Sequence, residues 1–234
     1  YCGEVPPLPI PNREVKLTCA DGTAMHSLKL PHKTVYTVTN YYNQIFDNKE
    51  RWINDIQLPP FDGITLLTVS ANYPHKNLDI IFKIIDFLQE NKLDLKLRFV
   101  ITLSKEQFPM SEKYQKYIIL TGKLNIAQCP HLYEKADIVF LPTLLECFSA
   151  SYAEAMRMGI PILTSDLTFA RGLCGKAAEY CDSLSIKSIL DGIIKLQYKK
   201  RKDELIEAGH QQLKKFDTTE NRANKYIQII NNEI

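Results

Sequence analysis

From residue 62 onward, apolar and polar positions alternate between two periods. The run GITLLTVSA (63–71) is continuously apolar, which suits a strand buried on both faces. KNLDIIFKIIDFLQEN (76–91) follows, with Leu78, Ile81, Ile85 and Leu88 on one helical stripe. LKLRFVITL (95–103) predicts a second strand and KYIILTG (116–122) a third, with a stretch of no clear period between them. AQCPHLYEKA (127–136) predicts a short helix and DIVFLPT (137–143) a fourth strand. A helix around 150–158, the strand IPILTS (160–165) and a short strand AAEYC (177–181) complete the series.

Strand and helix alternating at short spacing predict an α/β fold: a Rossmann-like, doubly wound parallel sheet. In such sheets ligands bind at the carboxyl ends of the strands. Residues 185–216 predict two amphipathic helices interrupted near Lys199–Lys202, and 218–232 a last helix. Asp217, three residues before Glu220, offers that last helix a capping-box-like start. The charge run KKRKDE suits a solvated turn, or a patch for peripheral association with a membrane surface.

The first sixty residues follow a different pattern. PPLPIPN is proline-rich and extended. VKLTCADGTAMHSL predicts a hairpin around Asp21 and Gly22, and KTVYTVTNYYNQIF (33–46) a strand running into a helix. The tyrosines of TNYYNQ (39–44) suit packing, or an acceptor platform. So short a region builds no comfortable core of its own. Residues 1–61 are therefore expected to be an amino-terminal remnant or linker, and residues 62–234 the domain proper. The chain begins with Tyr1 rather than Met, and is expected to be a piece of a longer protein.

Composition narrows the function classes. Hydrophobic residues make up 45% of the chain and charged ones 24%, the balance of a soluble globular protein. A net charge of +2 argues against nucleic acid as a partner. No apolar run is long enough to span a bilayer. The six cysteines form no CxxC pair and no zinc-like cluster, so a reduced, cytoplasmic protein is expected.

The candidate chemistry lies in ECFSASYAEAM, where Glu146 and Glu154 are separated by seven residues. Glu146 falls in the turn after the fourth strand, and Ser149, Ala150 and Ser151 open the next helix. A helix N-terminus offers backbone N–H groups and a partial positive charge, which together make an anion site. At about 1.5 Å per helical residue the two carboxylates lie about 12 Å apart, enough to flank a diphosphate. Carboxylates accept hydrogen bonds from hydroxyls, as a sugar or a ribose would offer. At the end of the first strand, SANYPHKNL places Lys76 where a helix begins, a point charge for phosphate, with His75 beside it. Taken alone, Glu146 would cap the next helix and Glu154 would pair with Arg157.

These segments together resemble the carboxyl-terminal, nucleotide-sugar-binding half of the retaining glycosyltransferases of family 4, also called glycosyltransferase group 1, which have the GT-B fold. The likeness covers about residues 62–234 and rests on ANYPHKNL, LTGKL, ECFSASYAEAMRMGIPILTSD, FARGLCGKAAEYCD and FDTTENRANKY in that order. It implies a retaining hexosyltransferase that moves a sugar from a nucleotide-sugar donor to a glycan or lipid-linked acceptor, in polysaccharide or lipopolysaccharide biosynthesis. By that resemblance Glu146 is the catalytic-site residue contacting the donor sugar, and Glu154 contacts the ribose. Lys76 binds the diphosphate with His75 and the backbone around Phe148, Ser149 and Ala150, while Gly122, Lys123 and Leu124 lie against the base. No metal and no cofactor are implied, because helix N-termini and basic residues offset the leaving diphosphate's charge.

The chain departs from the family pattern in three ways. Ala71 stands where many members carry an arginine, and Ser149 where a glycine is usual. Residues 1–60 are too short for the amino-terminal GT-B domain that binds acceptor, so donor binding is expected to exceed catalysis. Location at the inner face of a membrane fits the lipid-linked acceptor. Two alternatives remain open: a non-catalytic nucleotide-sugar-binding subunit, and a sugar-nucleotide epimerase of GT-B type.

Overall fold

The computed structural model describes residues 25–29, 35–39 and 42–233. Two short strands, β1 (Met25–Lys29) and β2 (Val35–Thr39), pair antiparallel, with Met25 opposite Thr39. The turn expected at Asp21 and Gly22 lies outside the described residues. Two 3₁₀ turns follow, Gln44–Asp47 and Lys49–Arg51. Tyr42, Ile45 and Phe46 are buried. The Tyr42 hydroxyl donates to Asp47 at 3.1 Å, so this tyrosine packs rather than offering a platform.

The main sheet has six parallel strands: β3 (Ile64–Thr68), β4 (Leu97–Ile101), β5 (Ile118–Leu120), β6 (Ile138–Leu141), β7 (Ile162–Ser165) and β8 (Ala178–Cys181). Their order across the sheet is β5-β4-β3-β6-β7-β8. The chain winds outward from β3 in one direction, then returns to β6 and winds outward in the other. This is the doubly wound pattern, and its switch point falls between β3 and β6.

Strand residues alternate between two cores, as a sheet covered on both faces requires. Leu67, Val100, Val139 and Ile162 face helices α2 (Cys129–Glu134), α3 (Ala150–Met158) and α4 (Thr168–Cys174). Leu66, Phe99, Phe140 and Leu163 face helices α1 (Ile80–Glu90) and α5 (Ile186–Lys195). Helices α6 (Lys199–Leu213) and α7 (Thr219–Glu233) close the described chain. The Tyr42–Phe46 segment joins the first core, where the Phe46 ring meets that of Tyr133 edge-on at 5.6 Å.

Four local features differ from the pattern reading. Helix α1 starts at Ile80, not at residue 76, because Pro74–Lys76 forms a 3₁₀ turn and Asn77 adopts a left-handed conformation with φ 54°. A left-handed residue cannot continue a right-handed helix. Helix α4 is absent from the sequence reading; Gly172 inside it weakens the periodic signal.

The run Lys199–Lys202 forms the first turn of α6 rather than an interruption; the break lies earlier, at Leu196–Tyr198. Basic residues at a helix start oppose the dipole, which makes the run look like a breaker. Here Arg201 donates twice to the buried Glu179, at 2.9 and 2.7 Å, and Lys199 pairs with Asp203 at 2.5 Å. Finally, α7 is capped one residue later than expected. The Thr218 hydroxyl accepts from the Asn221 N–H at 3.1 Å, and Asp217 pairs with Lys225 at 2.7 Å.

Candidate functional site

The loops that leave β3 and β6 meet at the switch point. The Leu144 N–H donates to the His75 carbonyl at 2.7 Å, and the Thr143 hydroxyl lies 3.1 Å from the same oxygen. The Asn77 side chain reaches in the other direction, donating to the carbonyls of Pro142 at 3.2 Å and Ser183 at 2.9 Å. One left-handed asparagine thus fastens the ends of β3, β6 and β8 together. Asparagine suits the position because it tolerates that backbone conformation and carries two donors.

Lys76 sits between these anchors, and its ammonium is paired directly with the Glu146 carboxylate. Both side chains are mostly covered, at 18% and 13% exposed. A cleft opens at the pair, lined by Thr68, Ser70, Lys76, Thr143, Glu146 and Ser149. Helix α3 points its N-terminus into it. Ser149, at the N-cap, makes no side-chain capping bond. The Tyr152 N–H donates to the Ser149 carbonyl at 3.3 Å, and the amides of Ala150 and Ser151 have no acceptor within the helix. Ser151 donates to the Val69 carbonyl at 3.2 Å and holds the helix start against β3.

The remaining predicted residues do not line the cleft. The His75 ring stacks on Tyr73 at 5.6 Å, nearly parallel. Partial burial, and secondarily the neighboring Lys76 charge, hold His75 below the ordinary histidine range. It is therefore neutral at neutral pH and offers a hydrogen bond, not a charge. Phe148 turns toward Phe216, ring centers 6.0 Å apart. Gly122 follows β5 with φ 74°, a left-handed position with open space around it, Lys123 is exposed, and Leu124 packs on the first core.

Glu154 does not take the routine role expected of it in isolation, a pair with Arg157. Arg157 pairs with Asp47 at 2.5 Å. The Glu154 carboxylate, 7% exposed, instead accepts a hydrogen bond from the Tyr133 hydroxyl at 2.8 Å. Burial raises its pKa, and the Tyr133 bond opposes that rise. Helix α3 thus carries Glu154 to α2, close enough to Cys129 that its charge helps push that thiol up to about 11, with burial the larger cause.

Sequence reasoning missed Asn77, Thr143 and Tyr133. Asn77 had a signal, as an asparagine just before a periodic helix. Tyr133 looked like one more apolar position of a short helix.

Among curated proteins there is no match in sequence. A family model described as "Glycosyl transferases group 1" matches residues 63–197. Among solved structures, the chain is similar to sucrose-phosphate synthase from Thermosynechococcus elongatus, with TM-score 0.61 and 14% identity, covering 82% of this chain and 49% of that one. A TarM mutant from S. aureus, in complex with fondaparinux, alpha-GlcNAc-glycerol and UDP, gives TM-score 0.61 at 16% identity, over 84% of this chain and 39% of that one. The pneumococcal O-GlcNAc transferase GtfA, in complex with UDP and GlcNAc, gives 0.57 at 17%, over 73% and 36%. At these identities the likeness concerns the fold. The chain spans half or less of each of these proteins.

Proposed function

The chain belongs to the group 1 glycosyl transferases, and on that premise we propose that its switch-point cleft is the donor site of an enzyme that transfers a glycosyl group from a nucleotide sugar to a glycan or lipid-linked acceptor, with retention. The observation that carries this reading is the Lys76–Glu146 pair facing the N-terminus of α3 across one small cleft. In the donor complex Lys76 and the first-turn amides of α3 take the diphosphate, and the Glu146 carboxylate, released from Lys76, accepts hydroxyls of the sugar. As the glycosyl bond breaks, negative charge grows on the diphosphate, and a fixed ammonium and helix start stabilize that charge without reorganizing. Neutral His75 adds a hydrogen bond where Ala71 offers none. Neither a metal nor a cofactor is part of this proposal.

The reading extends to a retaining hexosyltransferase of polysaccharide or lipopolysaccharide synthesis, working at the inner face of a membrane with a second, acceptor-binding domain. Among the described residues no helix is long and apolar enough to cross a membrane. Ala71 favors a second reading, a subunit that binds nucleotide sugar without turning it over. Release of free nucleoside diphosphate from donor separates the two.

A thermal-shift series with uridine, guanosine, adenosine and thymidine diphosphates and their sugar conjugates tests the site itself. Ligand at a hundred times its dissociation constant stabilizes by about 2.7 kcal/mol. One base standing out, with the shift lost in Lys76→Ala, supports the assignment. A flat series refutes it.

A further inference from the structure

The ladder between β3 and β6 stops short of the charges it brings together. Its pairs are Leu66 with Ile138 and Leu67 with Val139, whereas Lys76 and Glu146 lie well beyond them on the two loops. Strand pairing therefore does not fix the distance between ammonium and carboxylate. Local bonds cross the gap instead. The Leu144 N–H and the Thr143 hydroxyl meet the His75 carbonyl, and the Asn77 amide meets the carbonyls of Pro142 and Ser183. Pro142 and Ser183 are both buried, so a carbonyl deprived of its donor there is costly to leave unpaired.

At φ 54° the backbone of Asn77 asks only for a residue that tolerates the left-handed region, and glycine does so with least strain. The asparagine side chain adds what glycine lacks: two amide donors, with an acceptor for each. The result is a crosslink that starts one residue from Lys76 and ends at the base of the loop carrying Glu146. In the donor complex as proposed above, Lys76 gives up Glu146 to take the diphosphate. Once that ion pair opens it no longer ties the loops, and bonds that involve neither charge must hold the lysine turn in place.

We propose that Asn77 is a positioning residue for the donor diphosphate: its bonds to Pro142 and Ser183 hold the Lys76 turn against the Glu146 loop, so the ammonium stays aimed at phosphate after the ion pair opens. The inference rests on the donor-site reading above. Ordering a lysine on a loose turn costs affinity at each binding event, and a turn already fixed avoids that cost. Asn77 acts through Lys76 and need not touch the ligand.

The test measures dissociation constants of uridine, guanosine, adenosine and thymidine diphosphates for this chain and its variants by titration calorimetry. Asn77→Gly keeps the left-handed turn and removes only the amide. It weakens the best-bound diphosphate by about tenfold, and on the Lys76→Met background it has no further effect. Asn77→Asp, the same shape with acceptors in place of donors, weakens binding at least as much. The Lys76→Met background separates positioning from packing, because a loosened fold weakens binding with or without the ammonium. Unchanged affinity in Asn77→Gly, equal weakening on both backgrounds, or wild-type affinity in Asn77→Asp overturns the proposal. Should Asn77→Gly fail to fold, hydrogen exchange of the Asn77 side-chain amide in wild type, read by nuclear magnetic resonance, decides instead. Protection that persists with diphosphate bound supports the clamp, and protection lost on binding overturns it. If wild type binds none of the four diphosphates, or Lys76→Met binds them as wild type does, the donor-site reading itself fails, and that failure is visible before any Asn77 variant is made.

Discussion

Replacing Glu146 by glutamine should tighten the binding of free nucleoside diphosphate, the opposite of what removing a simple binding residue does. Glu146 holds the Lys76 ammonium, with both side chains under one-fifth exposed. On the proposed donor-site reading, a diphosphate entering the cleft takes that ammonium and then sits close to the Glu146 carboxylate. At an effective dielectric of ~20 and a separation of ~6 Å, two unit charges repel by about 3 kcal/mol. Lys76 and salt screen that to about half, and ~1.4 kcal/mol is tenfold in Kd. Glu146→Gln is nearly the same shape without the charge, so uridine diphosphate should bind this variant about tenfold more tightly. The sugar conjugate should gain less, because the sugar loses a charged acceptor at about 1 kcal/mol or more per hydrogen bond. Titration calorimetry of both ligands, with wild type and variant at low and physiological salt, reads the two effects separately. If Glu146→Gln weakens the free diphosphate, the carboxylate does not compete for Lys76 and the exchange described above is wrong.

Three further outcomes follow from the same geometry. Lys76→Met should weaken nucleoside diphosphate binding by about 10- to 100-fold, the worth of a charge-assisted hydrogen bond at ~1.5–3 kcal/mol, measured in the same titrations; an unchanged Kd would remove Lys76 from the site. Glu154 has a raised folded-state pKa from burial, so its contribution is fully present below the ordinary carboxylate value and is lost as pH rises through the folded one. Glu154→Gln should therefore melt higher than wild type near pH 8, by about 1 kcal/mol or ~2–4 °C, with the gain shrinking toward pH 4.5. A constant offset across that range would contradict the sign. Gly63→Ala should destabilize by about 1–3 kcal/mol in urea unfolding, because the new Cβ would lie 2.6 Å from the Lys96 carbonyl oxygen that accepts the Ile64 N–H; a neutral result would show that the edge of β3 shifts freely.

The fold was legible because its signal is carried by burial on both faces. Runs such as 63–71 and 137–143 suit strands covered on both faces, and their alternation with helices leaves one topology class. The boundaries were less legible. Asn77 ends the 3₁₀ turn and delays α1 through a backbone angle, and no periodicity reports an angle. Lys199–Lys202 looked like a break because its charges oppose the helix dipole, and the compensation comes from Glu179 on β8, twenty-two residues away from Arg201. At the site, the meeting of Lys76 and Glu146 was inferable from the rule that ligands gather at strand ends. The bond from Tyr133 to Glu154 was not, since it links two helices through side chains whose spacing of twenty-one residues has no local meaning.

The seam between β3 and β6 also sets a constraint on how the chain acquires its site. The Thr65 N–H bonds the Asp137 carboxylate across seventy-two residues, and Leu66 stands beside Ile138. Half of the cleft is synthesized with β3, yet it has no second wall until β6 emerges and the intervening strands and helices have closed a long loop. Parallel pairings of this separation form slowly. A nascent chain that ends before β6 therefore exposes Lys76 with no carboxylate to hold it, and any ligand that grips both walls acts as a clasp on the junction that forms late. A ligand bound across both walls should accordingly slow the opening of the domain more than it speeds its assembly.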